Sequence, residues 1–353
     1  MKVYIRSAVS ISAQNTFGNA PFLKDIIEYT SPRLKAIEPD YKSYIDARLI
    51  RRMSRIIRMG VAAAKESLTE AGVAMPDAIV TGTAYGCLED TGIFLSRMIE
   101  QEEEALSPTA FIQSTHNTVG AQIALMLQCH QYNNTFVHKG FSFESALQDA
   151  IMLLQEQEAT NVLTGAADEL TDASYAVLNR FNLYKKEPVS NLSLYQSASP
   201  GTIAGEGTAF FVLSDQPGRH DLGVLTGLQT FYRHSGPTEV SERITTFLAS
   251  NDLNAEDIDL VITGKNGDLD TDELIDQWYN PLFKPQQQIN YKHLSGEYPT
   301  ASSFALWLAA RIIKTKAIPA LVKAKTLTQS TKTVLIVNQY QNKYYSLMLL
   351  SAI

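Results

Sequence analysis

The run Thr135-Phe136-Val137-His138-Lys139-Gly140-Phe141-Ser142-Phe143-Glu144-Ser145-Ala146-Leu147-Gln148-Asp149-Ala150 reads as a buried strand that turns sharply into a helix. Ala146, Leu147 and Ala150 keep the helix's apolar face in register after the turn. A turn of this shape presents one side chain at the positive end of a helix. Free backbone N–H groups there lower the pKa of a thiol and stabilise developing negative charge. Position 140 is where that side chain belongs, and glycine has none to present.

On both sides of this elbow, strand-like runs alternate with amphipathic helices, the pattern of a layered α/β protein. Upstream, residues 77–83 form a buried strand running into a Gly-containing loop, and residues 111–125 read as a loop, a capped start and a small-residue helix. Downstream, residues 161–166 and 207–213 read as strands, and a polar stretch with Pro and Gly from Asp215 to Asp221 marks a boundary. A second series then begins, with strands at residues 222–230, 258–263, 334–337 and 344–349. The shared rhythm predicts two similar halves, residues 1–215 carrying the elbow and residues 216–353, without sequence repetition. A chain of 353 residues also exceeds what one core usually supports, which favours two intimately packed halves.

Hydrophobic residues at 45% suffice for a large core, and no run of about 18 apolar residues appears, so a soluble protein without a membrane span is expected. The first eleven residues alternate like a strand and lack the apolar segment and cleavage site of a signal peptide. Cys87 and Cys129 are too few for a disulfide scaffold, which predicts a reducing, cytoplasmic setting. A net charge of -7 argues against nucleic acid as a partner. Neither zinc-site spacing nor a phosphate-cradling glycine motif is present, so no metal and no cofactor is expected. One local exception to the acidic balance is residues 48–58. Met53, Ile56, Ile57, Gly60 and Ala64 fall at helical spacing, leaving Arg48, Arg51 and Arg52 outward, either as a solvated face or as a surface for an acidic partner.

Four segments, in order, resemble the β-ketoacyl synthases of the thiolase-like superfamily. Thr81-Gly82-Thr83-Ala84-Tyr85-Gly86-Cys87 is similar to that family's G-T-G-x-G-G loop, and Gly165-Ala166-Ala167-Asp168-Glu169 to its Gly-Gly-x-Glu segment. Ala204-Gly205-Glu206-Gly207-Thr208-Ala209 resembles its Gly-Glu-Gly-Ala strand start, and Asn290-Tyr291-Lys292-His293-Leu294-Ser295-Gly296-Glu297 its T-K-S-x-x-G-H. The resemblance implies a thiolase-like α/β fold, two similar βα halves stacked as α-β-α-β-α layers. It also implies a decarboxylative Claisen condensation by an elbow cysteine and two histidines.

This sequence departs from that chemistry at each position. The cysteine aligns with Gly140, and the first histidine with Gly264, a register that Asp272 supports. The second histidine aligns with Glu297, whose carboxylate would repel an enolate. Lys292 is retained, but its family partner aligns with Leu306, which leaves Glu297 as the expected substitute partner. Phe141 and Phe143 have the bulk to fill the vacated pocket, and the family's glycine-rich gating loop aligns with residues 338–343, bringing Tyr340 to the same pocket. Arg48, Arg51 and Arg52 fall where the family docks its acidic acyl carrier protein.

His138 and His293, beside the positions where the family's catalytic residues align, are candidates for a relocated base; His116 reads as a capping or hydrogen-bonded residue, and Cys87 and Cys129 as small buried hydrophobes. The resemblance implies a non-condensing, chain length factor type subunit of fatty acid or polyketide (aryl-polyene-like) biosynthesis. Its partners would be an acyl carrier protein and an active ketosynthase. Two alternatives stay open: an active 3-oxoacyl-ACP synthase with atypical residues, and a non-catalytic homodimer that binds acyl groups or carrier protein.

Overall fold

Ten strands line up in one mixed sheet. They are β1 (Val3–Ile11), β2 (Ala78–Gly82), β3 (Tyr132–Phe136), β4 (Asn161–Asp168), β5 (Gly207–Ser214), β6 (Gly223–Tyr232), β7 (Leu260–Thr263), β8 (Gln288–Asn290), β9 (Thr333–Tyr340) and β10 (Tyr344–Ser351). The computed structural model describes residues 2–18, 21–104, 106–319 and 331–353. Across the sheet the order is β3-β2-β4-β5-β1-β6-β10-β9-β7-β8. Counted outward from the middle, each set of five runs first, fifth, fourth, second, third. In both sets the first two pairings are antiparallel and the last two parallel. Short antiparallel pairing of β1 with β6, Val3 to Leu225 through Ile5 to Gly223, joins the two sets.

The helices longer than one turn are α1 (Arg55–Ala71), α2 (Leu88–Glu100), α3 (Pro108–Gln113), α4 (Thr118–Leu127), α5 (Ser142–Gln155), α6 (Asp172–Arg180), α7 (Pro237–Ala249), α8 (Leu269–Tyr279) and α9 (Ser302–Thr315). Three separate cores show how they stack. Ile56, Ile57 and Val61 of α1 and Ile123 of α4 pack on Ile11, Ile79, Leu163 and Phe210. Val240 and Ile244 of α7 and Ile275 and Trp278 of α8 pack on Val261, Leu335 and Leu347. Between the two sets of strands lie α5 and α9, whose Leu147, Ile151, Phe304 and Leu308 meet Val80 and Leu213 on one side and Ile262, Ile336 and Met348 on the other. Helices α1 and α4, five strands, α5 and α9, five strands, and α7 and α8 therefore make the α-β-α-β-α stack.

The sequence explains why α9 is central. Every residue from Ser302 to Ala310 is buried, and a helix with no polar face has no side to give to water. By contrast α1 is buried all round only from Met59 to Ala64, leaves Arg55, Arg58, Lys65 and Glu66 partly open to water, and ends at Gly72, whose φ of 67° supplies the left-handed cap.

Three expectations change. Strand β3 is not buried: it is the outermost strand, and Tyr132 and the following Val137 are 43% and 49% exposed. Residues 48–58 are not one helix but a single turn, Ala47–Ile50, followed by a break and a restart at the Ser54 cap. Residues 338–343 are not a loop, because β9 continues to Tyr340 and only Gln341 to Lys343 turn the chain into β10, with Gln341 and Asn342 at φ of 52° and 51°. Paired positive φ values are those of a tight hairpin whose twist matches its strands. Among the described residues no helix is long and apolar enough to cross a membrane.

Candidate functional site

The elbow is present as a backbone shape. Strand β3 stops at Phe136, Lys139 adopts φ 50°, and α5 starts at Ser142. The His138 N–H donates to Ser142 Oγ at 2.8 Å, and that hydroxyl donates to the Lys139 carbonyl at 2.8 Å, locking the corner. A Cβ built on Gly140 would lie 2.7 Å from Tyr344 Cγ and 3.0 Å from Tyr340 Cδ1. The space a nucleophile would use is thus filled by two tyrosines of the β9–β10 hairpin. Phe141 packs edge-on against Tyr344 with ring centres 5.0 Å apart, so Phe141 and Tyr340 both border the elbow. Phe143 does not: it points into the central layer, 5.8 Å from Phe211.

Gly264 is closed differently. A Cβ there would stand 2.5 Å from the backbone nitrogen of Gln339 and 3.1 Å from Asn338. Strand pairing holds the two chains together, with the Gly264 N–H on the Val337 carbonyl at 2.8 Å and Gln339 Nε2 on the Gly264 carbonyl at 2.9 Å. Backbone, not a movable side chain, would meet any side chain at position 264.

Lys292 and Glu297 form an ion pair, Nζ to Oε2 at 2.9 Å, with both side chains nearly out of contact with water. Lys292 Nζ also donates to the Gln339 carbonyl at 2.5 Å, and Asn266 Nδ2 donates to Glu297 Oε2 at 2.8 Å. Burial pushes the lysine down and the carboxyl up from their ordinary pKa values, and each charge offsets the other's penalty. Glu297 is held at this depth by a close backbone crossing. The Gly205 N–H donates to the Glu297 carbonyl at 3.0 Å, and a Cβ on Gly205 would meet the Ser295 carbonyl oxygen at 2.2 Å. That contact is why the Gly-Glu-Gly segment carries glycine there. Leu306, where the family resemblance would put a partner for Lys292, is a buried leucine of the central layer.

Asp272 fixes the chain leaving β7 by accepting the Asn266 and Gly267 N–H groups at 2.9 and 3.0 Å, while burial pushes its carboxyl up to about 6. Above Glu297 opens a cavity of about 210 Å³ whose walls include Tyr184, Thr202, Asn266, Asp268 and Tyr340. On the opposite side, Asp168 accepts from Thr83 Oγ1, the Ala84 N–H and Thr300 Oγ1, so one buried carboxylate ties the glycine loop after β2 to the start of α9.

Other candidates supply no nucleophile paired with a base at this cavity. Cys87 is fully buried, and burial together with Glu169 and Asp90 drives its thiol far above the ordinary range. Cys129 is buried with Sγ 3.7 Å from the Pro76 carbonyl. His293 is packed against Tyr195, and burial lowers its pKa to about 4, which keeps the imidazole neutral. His138 Nδ1 lies 3.2 Å from Ser145 Oγ on the exposed side of the elbow. His116 caps no helix; its ring lies over Gly86, 3.1 Å from where a Cβ would be. Sequence reading missed Tyr344, Gln339 and Asn266. Their roles come from contacts across tens to hundreds of residues, for which the local pattern carries no signal.

Arg48, Arg51 and Arg52 are exposed, and none has a carboxylate partner among the described residues. Gln113 Nε2 donates to the Arg52 carbonyl, which places α3 beside them. Phe111 and Ile112 of α3 are 56% and 60% exposed, so basic and apolar surface adjoin.

Residues 32–200 match the family model described as β-ketoacyl synthase, N-terminal domain. No curated relative matches the sequence. Among solved structures, the ishigamide ketosynthase/chain length factor superposes with a TM-score of 0.80 at 16% identity, covering 100% of this chain and 99% of that one. A β-ketoacyl synthase from Burkholderia phymatum gives 0.81 at 14%, with the same coverage. A type II polyketide acyl carrier protein in complex with its ketosynthase gives 0.72 at 16%, again over 100% and 99%. Identities this low speak for the fold. By sequence over residues 32–200 and by fold along its whole length, the chain is similar to the ketosynthases and chain length factors of the thiolase-like superfamily.

Proposed function

We propose that this chain is a non-condensing subunit of the chain length factor type, acting in polyketide or fatty acid biosynthesis beside an active ketosynthase. The observation that carries the proposal is the filled elbow, with Tyr344 Cγ 2.7 Å from where a Cβ of residue 140 would stand. Acyl transfer to this position requires a nucleophile and room for a tetrahedral centre, and neither exists. The retained Lys292 is spent on Glu297. A condensing enzyme with other residues would need a second nucleophile, and the buried, unionised Cys87 is unfit for that. The reading places the chain in the cytoplasm, where its two free, buried cysteines stay reduced.

Partner binding has two surfaces to use. The outer strand β3, with exposed Tyr132 and Val137, offers an unpaired edge to a second subunit, ketosynthase or self. Arg48, Arg51 and Arg52 offer positive charge to an acidic carrier protein, which steers association and orients the complex. Co-expression with a ketosynthase carrying an intact cysteine and two histidines, encoded beside this chain, tests the proposal. The pair should copurify and condense malonyl groups from carrier protein, and this chain alone should not; condensation by this chain alone overturns it. Arg51→Glu with Arg52→Glu should weaken carrier-protein binding at low salt, with the difference shrinking as salt rises.

A further inference from the structure

Helices α2 and α3 carry Ile93, Leu95, Ile99, Phe111 and Ile112, yet all five side chains are exposed. Apart from Asp90, no residue of α2 is buried, and none of α3 is. The two helices pack chiefly on each other, with the Phe94 and Phe111 rings 5.5 Å apart. Chain entry and exit lie side by side at their base. Thr91 Oγ1 donates to the Ser114 carbonyl at 3.1 Å, and His116 lies over Gly86, whose φ is 65°. Toward the body, the Glu89 N–H donates to Glu169 Oε1 at 3.0 Å, Gln113 Nε2 to the Arg52 carbonyl and Thr118 Oγ1 to the Ile112 carbonyl at 2.9 Å. All three ties sit at the base of the pair. A unit with so few buried apolar contacts opens at low cost. One face of α2 walls a cavity of about 600 Å³, whose other walls include Glu169, Thr171 and Ala173.

We propose that α2 and α3 move as one flap about this base, with the Glu169 carboxyl as its latch, opening and closing the cleft between α2 and the start of α6. The motion does not depend on which subunit covers β3. Closure buries Glu169, and burial, with the charges of Glu89, Asp90 and Glu206, pushes its carboxyl from 4.5 to about 7 against the pull of the Glu89 N–H. Cys87 lies nearby un-ionised, and Lys35, Arg55, Arg97, Glu100 and Asp172 stand on the walls of the same cavity. The closed flap therefore holds a proton that the open one releases, so opening grows as pH rises from about 4.5 to 7 and then levels. Hydrogen exchange of the full chain, read by mass spectrometry at pH 5 and pH 8 and corrected for intrinsic rates, tests it. The opening constant of α2 and α3 should rise at least about fivefold, and by up to about 70-fold if Glu169 is fully solvated when open. At each pH it should exceed that of α9, because the flap opens without global unfolding. Glu169→Gln should abolish the rise. Phe94→Ala, which touches no titrating group, should speed exchange in both helices by the same factor, as one unit requires. A rise below fivefold, a rise that survives Glu169→Gln, exchange no faster than in α9, or a Phe94→Ala response confined to one helix overturns the proposal.

Discussion

At position 140 the obstacle to a nucleophile is a pair of rings, and at position 264 it is a strand. The difference gives a direct test. Gly140→Cys pushes a Cβ into Tyr344 and should destabilise the protein by roughly 1–3 kcal/mol, the usual cost of overpacking, with the new thiol slow to react with iodoacetamide. Adding Tyr344→Ala should recover part of that stability and speed alkylation, both read by denaturant unfolding and mass spectrometry. A second residue-scale prediction concerns Glu169, which accepts the Glu89 N–H at 3.0 Å and is pushed by burial from 4.5 to about 7. Its folded form holds a proton that the unfolded form has released, so stability falls as pH rises from about 4.5 to 7 and then levels. Glu169→Gln should flatten that slope in urea midpoints measured between pH 5 and 8; an unchanged slope assigns the pH dependence elsewhere. At this scale the sequence is a partial guide. Lys292 and Glu297 are five residues apart and could be read as a pair, whereas Tyr344 reaches Gly140 from 204 positions away (344 − 140) and has no local sign.

Among the elements, the β9–β10 hairpin does most to shape the site. Its strand length places Gln339 against Gly264, and its three-residue turn brings Tyr340 and Tyr344 over the elbow. Reading residues 338–343 as a loop failed because Gln341 and Asn342 take positive φ without glycine, so the usual turn signature is missing. The error about β3 is similar in kind. Its sequence shows a strand, but strand position in a sheet is a property of topology, and an outermost strand is open on one side. Phe111 and Ile112 of α3 and Val137 after β3 are exposed apolar residues, which on a free monomer would be a liability. Phe111→Glu combined with Val137→Glu should shift the purified protein toward monomer and reduce capture of a co-expressed ketosynthase, as read by light scattering after gel filtration. An unchanged mass and yield would place the subunit contact on another face.

For the molecule as a whole, the alternation of strands and helices was enough to anticipate a duplicated, layered architecture. What it did not disclose is that the two sets share one hydrogen-bonded sheet, because that junction rests on three residue pairs between β1 and β6. We propose that residues 1–215 and 216–353 are two halves that do not fold separately. Helices α5 and α9 are buried against strands of both sets, so neither set keeps a dry core without the other. Trp307 reports from this central layer and Trp278 from the outer core of the second set. Far-UV circular dichroism and tryptophan fluorescence should therefore give coincident unfolding curves with a single transition. Separated transitions would show that the halves are independent.

The backbone contact beside Gly264 also bears on descent. Side chains such as Tyr344 can be trimmed by one substitution, but the main chain of β9 cannot be moved by replacing one residue. A lineage carrying this strand placement could gain a cysteine at the elbow in two steps and still have no room for any side chain at 264. The arrangement works as a ratchet, holding position 264 at glycine for as long as β9 keeps its place.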